Sequence, residues 1–244
     1  MLRKVINSLV NRLPRDPARE LPLIETCLRQ LPHLTYWRLK QGGFRPGAII
    51  DIGAHEGDWS RDIRSIFSAP ILMVEAREEQ RSKLEQVSKK IGEARVIVSL
   101  LGSEQGKSVI FHANGSASSI FAERTGIKLD HYETQMQTLD TIVDPAKLSP
   151  PLFLKLDIQG AELECLRGGM RTLAKAEVAQ IETALLPYNE GAPDARDVIT
   201  FMAEHGFSIW DISGFVRPDH VNLTHIDVIF VKTESDLRPK LNFG

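Results

Sequence analysis

Cysteine is nearly missing from this sequence of 244 residues: Cys27 and Cys165 are the only two, they lie far apart, and they match no metal-ligand spacing. A disulfide framework would use more of them, so a stapled secreted scaffold is excluded and a reducing cytoplasm is the expected setting. Also missing is an apolar run of about 18 residues, the length a membrane-spanning helix needs, and the first residues lack the continuous apolar stretch of a secretory signal. Stable membrane insertion is therefore not expected. Charge of one sign is absent too: 30 basic residues against 32 acidic leave a formal charge of -2. Such a chain has no global field with which to hold a polyanion, so nucleic acid is not an expected partner. A homo-oligomer is compatible with this composition.

What is present is 42% hydrophobic and 25% charged side chains, the balance of a folded domain able to bury a sizeable core. Prolines at 14, 17, 22 and 32 punctuate the first forty residues, and Ile24, Cys27, Leu28 and Leu31 fall at helical spacing. Leu2, Val5, Ile6, Leu9 and Val10 form a second such stripe beside Arg3, Lys4 and Arg12. Docking on the protein's own body is the usual fate of a stripe like this; a helix lying on a membrane surface is the alternative. Residues 1–46 are thus expected to be a helical extension and 47–244 one domain.

From Ala48 onward short apolar runs alternate with amphipathic segments, the pattern of a mostly parallel sheet with helices on both faces. Strands are predicted at 48–52, 71–75, 96–100, 152–157, 178–182, 207–212 and 226–232. Trp59, Ile63, Ile66 and Phe67 make one crossover helix face, and Leu84, Val87 and Ile91 another. A third helix starts near Ala161 and is broken or ended by Gly168-Gly169, and a fourth stops at Gly206. No helix separates the last two strands, so the final one is expected to be antiparallel and inserted beside its predecessor. The stretch from Gly102 to about Leu139 interrupts the alternation with a strand at 108–112 and a Gly/Ser-rich segment, which suits a substrate lid.

The first strand ends in Asp51-Ile52-Gly53-Ala54-His55-Glu56-Gly57 and opens straight into the Trp59 helix. Glycines there let the backbone turn tightly and approach a ligand. Glu75 ends the second strand, where a doubly wound sheet places an acid on ribose hydroxyls. The turn is Asp-x-Gly-x-x-x-Gly rather than the Gly-x-Gly-x-x-Gly of dinucleotide binders, so the steric device for a pyrophosphate is incomplete. At these residues the sequence resembles class I methyltransferases, whose cofactor, S-adenosylmethionine, has no phosphate to cradle.

The resemblance narrows at Phe153-Leu154-Lys155-Leu156-Asp157-Ile158-Gln159-Gly160-Ala161-Glu162-Leu163, followed by Leu166-Arg167-Gly168-Gly169, with Thr138-Leu139-Asp140 before it and Ile181-Glu182 after it. In that order these motifs are similar to the FkbM family of methyltransferases, over residues 47 to 232. The resemblance implies a Rossmann-like, doubly wound α/β fold with a seven-stranded sheet and an antiparallel last strand. It also implies S-adenosylmethionine-dependent methylation of a hydroxyl oxygen on a sugar or natural product. The expected cofactor set is Asp51, Gly53, His55, Gly57, Glu75, Ser99 and Asp157. Two positions depart from the family: it commonly has Asn where this chain has His55, and Glu where it has Gln159.

Methyl transfer from a sulfonium is an in-line displacement, so a protein mainly aligns donor and acceptor and takes up the acceptor's proton. Asp157, at the carboxyl end of the fourth strand, is the first candidate for that role and Glu182 the second. Their structural alternatives are a helix cap for Asp157 and a solvated strand-end charge for Glu182. Oxygen and imidazole ligands from Asp157, Glu182 and His225 could gather round a divalent cation, but no local spacing demands one and no metal is assigned. Two other functions stay open at this point. One is a nicotinamide-dependent oxidoreductase, which Glu75 would serve equally; the other is a cofactor-binding protein of the same fold without activity.

Overall fold

The computed structural model describes residues 31–113, 118–121, 130–186 and 189–238. The Leu2 to Val10 stripe, the prolines at 14, 17 and 22, and Cys27 lie outside the described residues, as do Asn114 to Ala117 of the Gly/Ser-rich segment. Helix α1 (Leu31–Gln41) leads into strand β1 (Ala48–Ile52), α2 (Asp58–Ile66), β2 (Ile71–Glu75), α3 (Arg81–Ile91) and β3 (Ala94–Val98). Strands β4 (Ser108–Ala113) and β5 (Asp130–Gln135) follow, then α4 (Leu139–Val143), β6 (Leu152–Leu156), α5 (Glu162–Arg167) and α6 (Met170–Lys175). The chain continues through β7 (Ala176–Ala184), α7 (Ala195–Glu204), β8 (Phe207–Val216) and β9 (His225–Lys232).

Seven strands form one sheet in the order β3-β2-β1-β6-β7-β9-β8. Strands β1, β2, β3, β6 and β7 pair in parallel, while β9 lies antiparallel between β7 and β8. The doubly wound sheet with an antiparallel last strand beside its predecessor is therefore present. The chain winds outward from β1 through β2 to β3 and then returns to β6 on the other side of β1. This reversal puts the topological switch point at the carboxyl ends of β1 and β6, where open α/β sheets bind ligands.

Strands buried on both faces need apolar side chains in both directions, and β1, β2 and β6 are buried along their whole length. Ile49 pairs in register with Ile71 and Phe153 and faces the layer formed by α1, α2 and α3. Ile50, Leu72 and Leu154 face the opposite layer with Leu139, Leu166 and Leu173. The Gly168-Gly169 break separates α5 from α6 as the glycine pair implies. A Cβ on Gly169 would meet Leu139 at 2.6 Å, so the break also lets α4 sit close.

Several strand bounds differ from those expected from sequence, the largest difference being β8, which runs on to Val216 rather than ending at 212 because Gly214, Phe215 and Val216 keep pairing with β9. The third strand starts two residues earlier, because Ala94 and Arg95 pair with Ile71 and Leu72, and this leaves Ser99 and Leu100 just beyond its end. β7 runs past Glu182 to Ala184, since Thr183 and Ala184 keep pairing with Ile226 and His225. The strand at 108–112 does form, but it pairs with β5 in a separate two-stranded ladder outside the main sheet. No described helix is long and apolar enough to cross a membrane.

One of the ties that fasten helix α1 to the core is a phenol. Tyr36, 1% exposed, donates to Gln180 Oε1 at 2.7 Å and accepts from Trp59 Nε1 at 2.7 Å, joining α1 to β7 and α2. Its ring meets Trp59 and Phe153 edge-on at 6.0 and 6.1 Å. Removing the hydroxyl leaves the buried Gln180 Oε1 and the half-buried Trp59 Nε1 without this partner. Tyr36→Phe is expected to lower the unfolding free energy by about 1–3 kcal/mol, measured as a reduced urea midpoint at unchanged slope. A midpoint equal to wild type would mean that the phenol does not clamp α1.

Candidate functional site

The loops after β1 and β6 meet almost without clearance. Gly53 has φ +78°, and a Cβ there would lie 1.9 Å from the Asp157 carbonyl oxygen, so no side chain fits. Asp157 N in turn donates to Ile52 O at 3.1 Å. Beside this contact opens a cavity of about 260 Å³ whose lining includes Gly53, His55, Glu75, Ser99, Asp157 and Glu182. Its outer wall carries Phe111, Ser118, Ser119 and Ile120 from the segment between 102 and 139, so the part of the expected lid that is described does border the site.

Six of the eight residues singled out from sequence line this cavity. Asp51 and Gly57 do not. Asp51 is fully buried in β1, where its Oδ2 accepts from Ser60 Oγ at 2.6 Å. Gly57, at φ +78°, ends the turn into α2 and packs against Leu84 and Val87. Glu75 is held by main-chain donors: His55 N reaches its Oε2 at 2.8 Å and Arg77 N its Oε1 at 3.0 Å. Each oxygen keeps acceptor capacity for a ligand hydroxyl. His55 contributes its N–H from a left-handed backbone, φ 47°, a conformation that asparagine favours among non-glycine residues.

Behind these groups sits a residue to which the sequence reading gave no role. Lys155, 5% exposed in β6, donates to Gly53 O at 3.0 Å and lies 3.3 Å from Asp51 Oδ1 and 3.4 Å from Asp157 Oδ2. The approach to Asp51 Oδ1 is an ion pair rather than an aligned hydrogen bond. Burial alone would lower the lysine's pKa, but Asp157 and Asp51 reverse the effect and hold it protonated. A signal was available: Asp51 and Lys155 occupy one register position on neighbouring strands, each flanked by apolar residues.

Asp157 does not cap a helix. Its side chain is 38% exposed toward the cavity, and the cap of α5 makes no side-chain hydrogen bond. The main-chain donors of the turn, Ile158 N and Gly160 N, go instead to Glu162 Oε1 at 2.9 and 3.2 Å. Gln159, in a left-handed conformation at φ 55°, turns its Nε2 back to donate to Asp157 Oδ1 at 3.0 Å and Glu182 Oε2 at 2.7 Å. Its own carbonyl accepts from Ser119 Oγ and Asn189 Nδ2, both at 2.8 Å.

The two bridged carboxyls are driven apart in acidity. Burial pushes Asp157 up, but Lys155 and the hydrogen bonds from Glu182 and Gln159 outweigh it and hold the carboxyl below the usual range. Glu182 goes the other way, raised well above the ordinary value by burial and then by Asp157. Burial likewise pushes Glu162 up to about 7, and burial followed by Asp157 pushes Asp227 up to about 6. A smaller hollow lined by Gln159, Gly160, Glu162, Glu182, Asn189 and His225 adjoins the pair. Among the described residues no group of three or more His, Cys, Asp or Glu is arranged to hold a metal ion.

Removing Lys155 would strand the buried Asp51 charge. Lys155→Met is expected to cost about 3–5 kcal/mol of unfolding free energy at neutral pH, measured by chemical denaturation. A loss below about 1 kcal/mol, the value of an exposed pair, would mean that the lysine is not the electrostatic anchor of the site.

A profile described as the methyltransferase FkbM domain matches residues 51–209. No curated protein matches the chain. Among solved structures, the chain is 14% identical to WbdD, a bifunctional kinase-methyltransferase, with a TM-score of 0.49 over 93% of this chain and 46% of that one. It is 12% identical to magnesium protoporphyrin IX methyltransferase from Synechocystis with bound SAM, with a TM-score of 0.48 over 84% of this chain and 79% of that one. It is 15% identical to a putative RNA methyltransferase from Pyrococcus horikoshii, with a TM-score of 0.46 over 85% and 84% of the two chains. Likeness at these identities is one of fold.

Proposed function

The chain belongs to the FkbM family of S-adenosylmethionine-dependent methyltransferases, and we propose that it methylates a hydroxyl oxygen on a sugar or natural-product acceptor, with Asp157 and Glu182 handling the proton. The observation that carries this reading is the Asp157–Gln159–Glu182 bridge on the cavity wall, in which one carboxyl is held ionised and the other is raised. A hydroxyl attacking an electrophile needs an anion to orient its O–H and a stronger base to take the proton. Asp157 suits the first task and Glu182 the second.

The cavity residues fit the cofactor. Gly53 provides close backbone approach, Glu75 offers acceptor oxygens for ribose hydroxyls, and His55, Ser99 and Asp157 complete the lining. When bound, S-adenosylmethionine supplies a sulfonium methyl group open to in-line displacement. Asp51 and Gly57 act from behind, the first by fixing Lys155 and the second by shaping the turn into α2. A formal charge of -2 and a carboxyl-rich wall favour a neutral hydroxylated acceptor over a polyanion.

Titration calorimetry with S-adenosylmethionine and S-adenosylhomocysteine tests the cofactor assignment. Glu75→Ala is expected to weaken binding by about 1.5–3 kcal/mol, the value of hydrogen bonds to a charged group, and equal binding would remove Glu75 from the site.

The proton assignment predicts a pH dependence. Glu182 can accept a proton only when ionised, so turnover should climb with pH through its raised pKa. Folding stability should move the opposite way: a carboxyl whose folded pKa lies above the unfolded value stabilises at low pH, and that contribution is lost as pH rises through the folded pKa. Glu182→Gln should lower kcat by about 10²–10⁴-fold and flatten the rising limb, while S-adenosylhomocysteine affinity stays near wild type. A variant that keeps the rising limb would place the proton acceptor elsewhere.

A further inference from the structure

The cavity runs along the ends of four adjacent strands, from Asp157 after β6, past Gly53 after β1, to Glu75 and Arg77 at the end of β2 and Ser99 after β3. Neighbouring strands lie about 4.8 Å apart, so Asp157 and Ser99 stand roughly 14 Å from each other across the crevice. Reaction chemistry occupies the β6 end, and Glu75 marks the ribose between. Whatever the ribose carries must extend toward Arg77 and Ser99. That end is walled by the apolar side chains of Leu100, Leu101, Phe111 and Ile120, which suit a flat ring.

Arg77 is the buried polar side chain there that keeps a donor to spare. Its side chain is 7% exposed, with Nε 3.5 Å from Glu75 Oε1 and Nη1 3.5 Å from Glu79 Oε1, both long for a hydrogen bond. Its buried Nη2 has no hydrogen-bond partner among the described residues. A guanidinium only donates, so the missing partner is an acceptor atom, and burial makes leaving it unpaired costly. We infer that Arg77 reads the base of the cofactor: it donates to a ring nitrogen of the adenine and selects a purine that presents a lone pair there. The inference rests on the cofactor assignment above and adds to it the residue that recognises the base.

The test is titration calorimetry of the full chain with S-adenosylhomocysteine and its 1-deaza, 3-deaza and 7-deaza analogues, each of which replaces one ring-nitrogen acceptor by C–H. Wild type, Arg77→Leu and Arg77→Lys are compared, with Glu75→Ala as the ribose control. Wild type should lose about tenfold to hundredfold in affinity for one deaza analogue and little for the other two. Arg77→Leu should lose about the same factor for S-adenosylhomocysteine and no longer distinguish that analogue, whereas Glu75→Ala should weaken all four ligands alike. Equal binding of all three deaza analogues by wild type overturns the inference without recourse to any variant. So does an Arg77→Leu protein that weakens every ligand equally, which marks a structural role. Failure of wild type to bind S-adenosylhomocysteine at all would overturn the cofactor assignment and this inference together, an outcome distinct from either of those.

Discussion

The site depends on one buried ammonium group. Lys155 stands between Asp51 and Asp157 and donates to the carbonyl of Gly53, so a single cation ties the ends of β1 and β6 together. The closeness of those ends explains why Gly53 has no room for a side chain. One cation cannot neutralise every carboxyl around it, so the carboxyls farther from it hold a proton more tightly. Asp157, nearest the lysine on the cavity side, keeps its ionised form, while Glu182, Glu162 and Asp227 are all pushed upward by burial and by the charges around them. The split in acidity thus follows from one cation set among several buried carboxyls rather than from any single unusual residue.

Gln159 converts that electrostatic arrangement into geometry. Its side-chain Nε2 donates to two carboxyls, and its carbonyl is gripped by Ser119 from the outer wall and by Asn189 from the segment preceding α7. A carboxylate at this position would set a further negative charge beside Asp157 and Glu182, with no N–H to give them. The amide removes that repulsion and holds the pair at hydrogen-bond distance. The same contacts tie the wall formed by residues 118–121 to the carboxyls, so the position of that wall and the alignment of the pair are mechanically linked.

Much of this was legible in the sequence, for identifiable reasons. β1 and β2 have the predicted bounds because each is a short, mostly apolar run, the first lying between Gly47 and Gly53 and the second starting after Pro70 and ending at Glu75. β5 was invisible, since Asp-His-Tyr-Glu-Thr-Gln has neither an apolar run nor an apolar alternation, and its partner β4 supplies the pairing. That the turn after β1 and Glu75 meet at one cavity was legible from spacing. Lys155 and Arg77 were not assigned, because their roles arise from register and burial rather than from neighbours in the chain. Asp51 was recognised as important, but its carboxylate serves Lys155 rather than the cavity, a distinction that only the third dimension supplies.

The antiparallel last strand, legible as a missing crossover helix, has a chemical consequence beyond topology. Because β9 runs against β7, Glu182 stands in register with Asp227, and two acids share one patch of a buried sheet. Each makes ionisation of its neighbourhood harder: Asp227 is among the causes that raise Glu182, and both feel Asp157. Gln180, one pleat away on the same face, is held by Tyr36 from α1 and touches Asp227, so the electrostatics of the pair extend to the helix that precedes the sheet. The strand inserted between β7 and β8 thus also carries, in Asp227, one of the charges that raise Glu182.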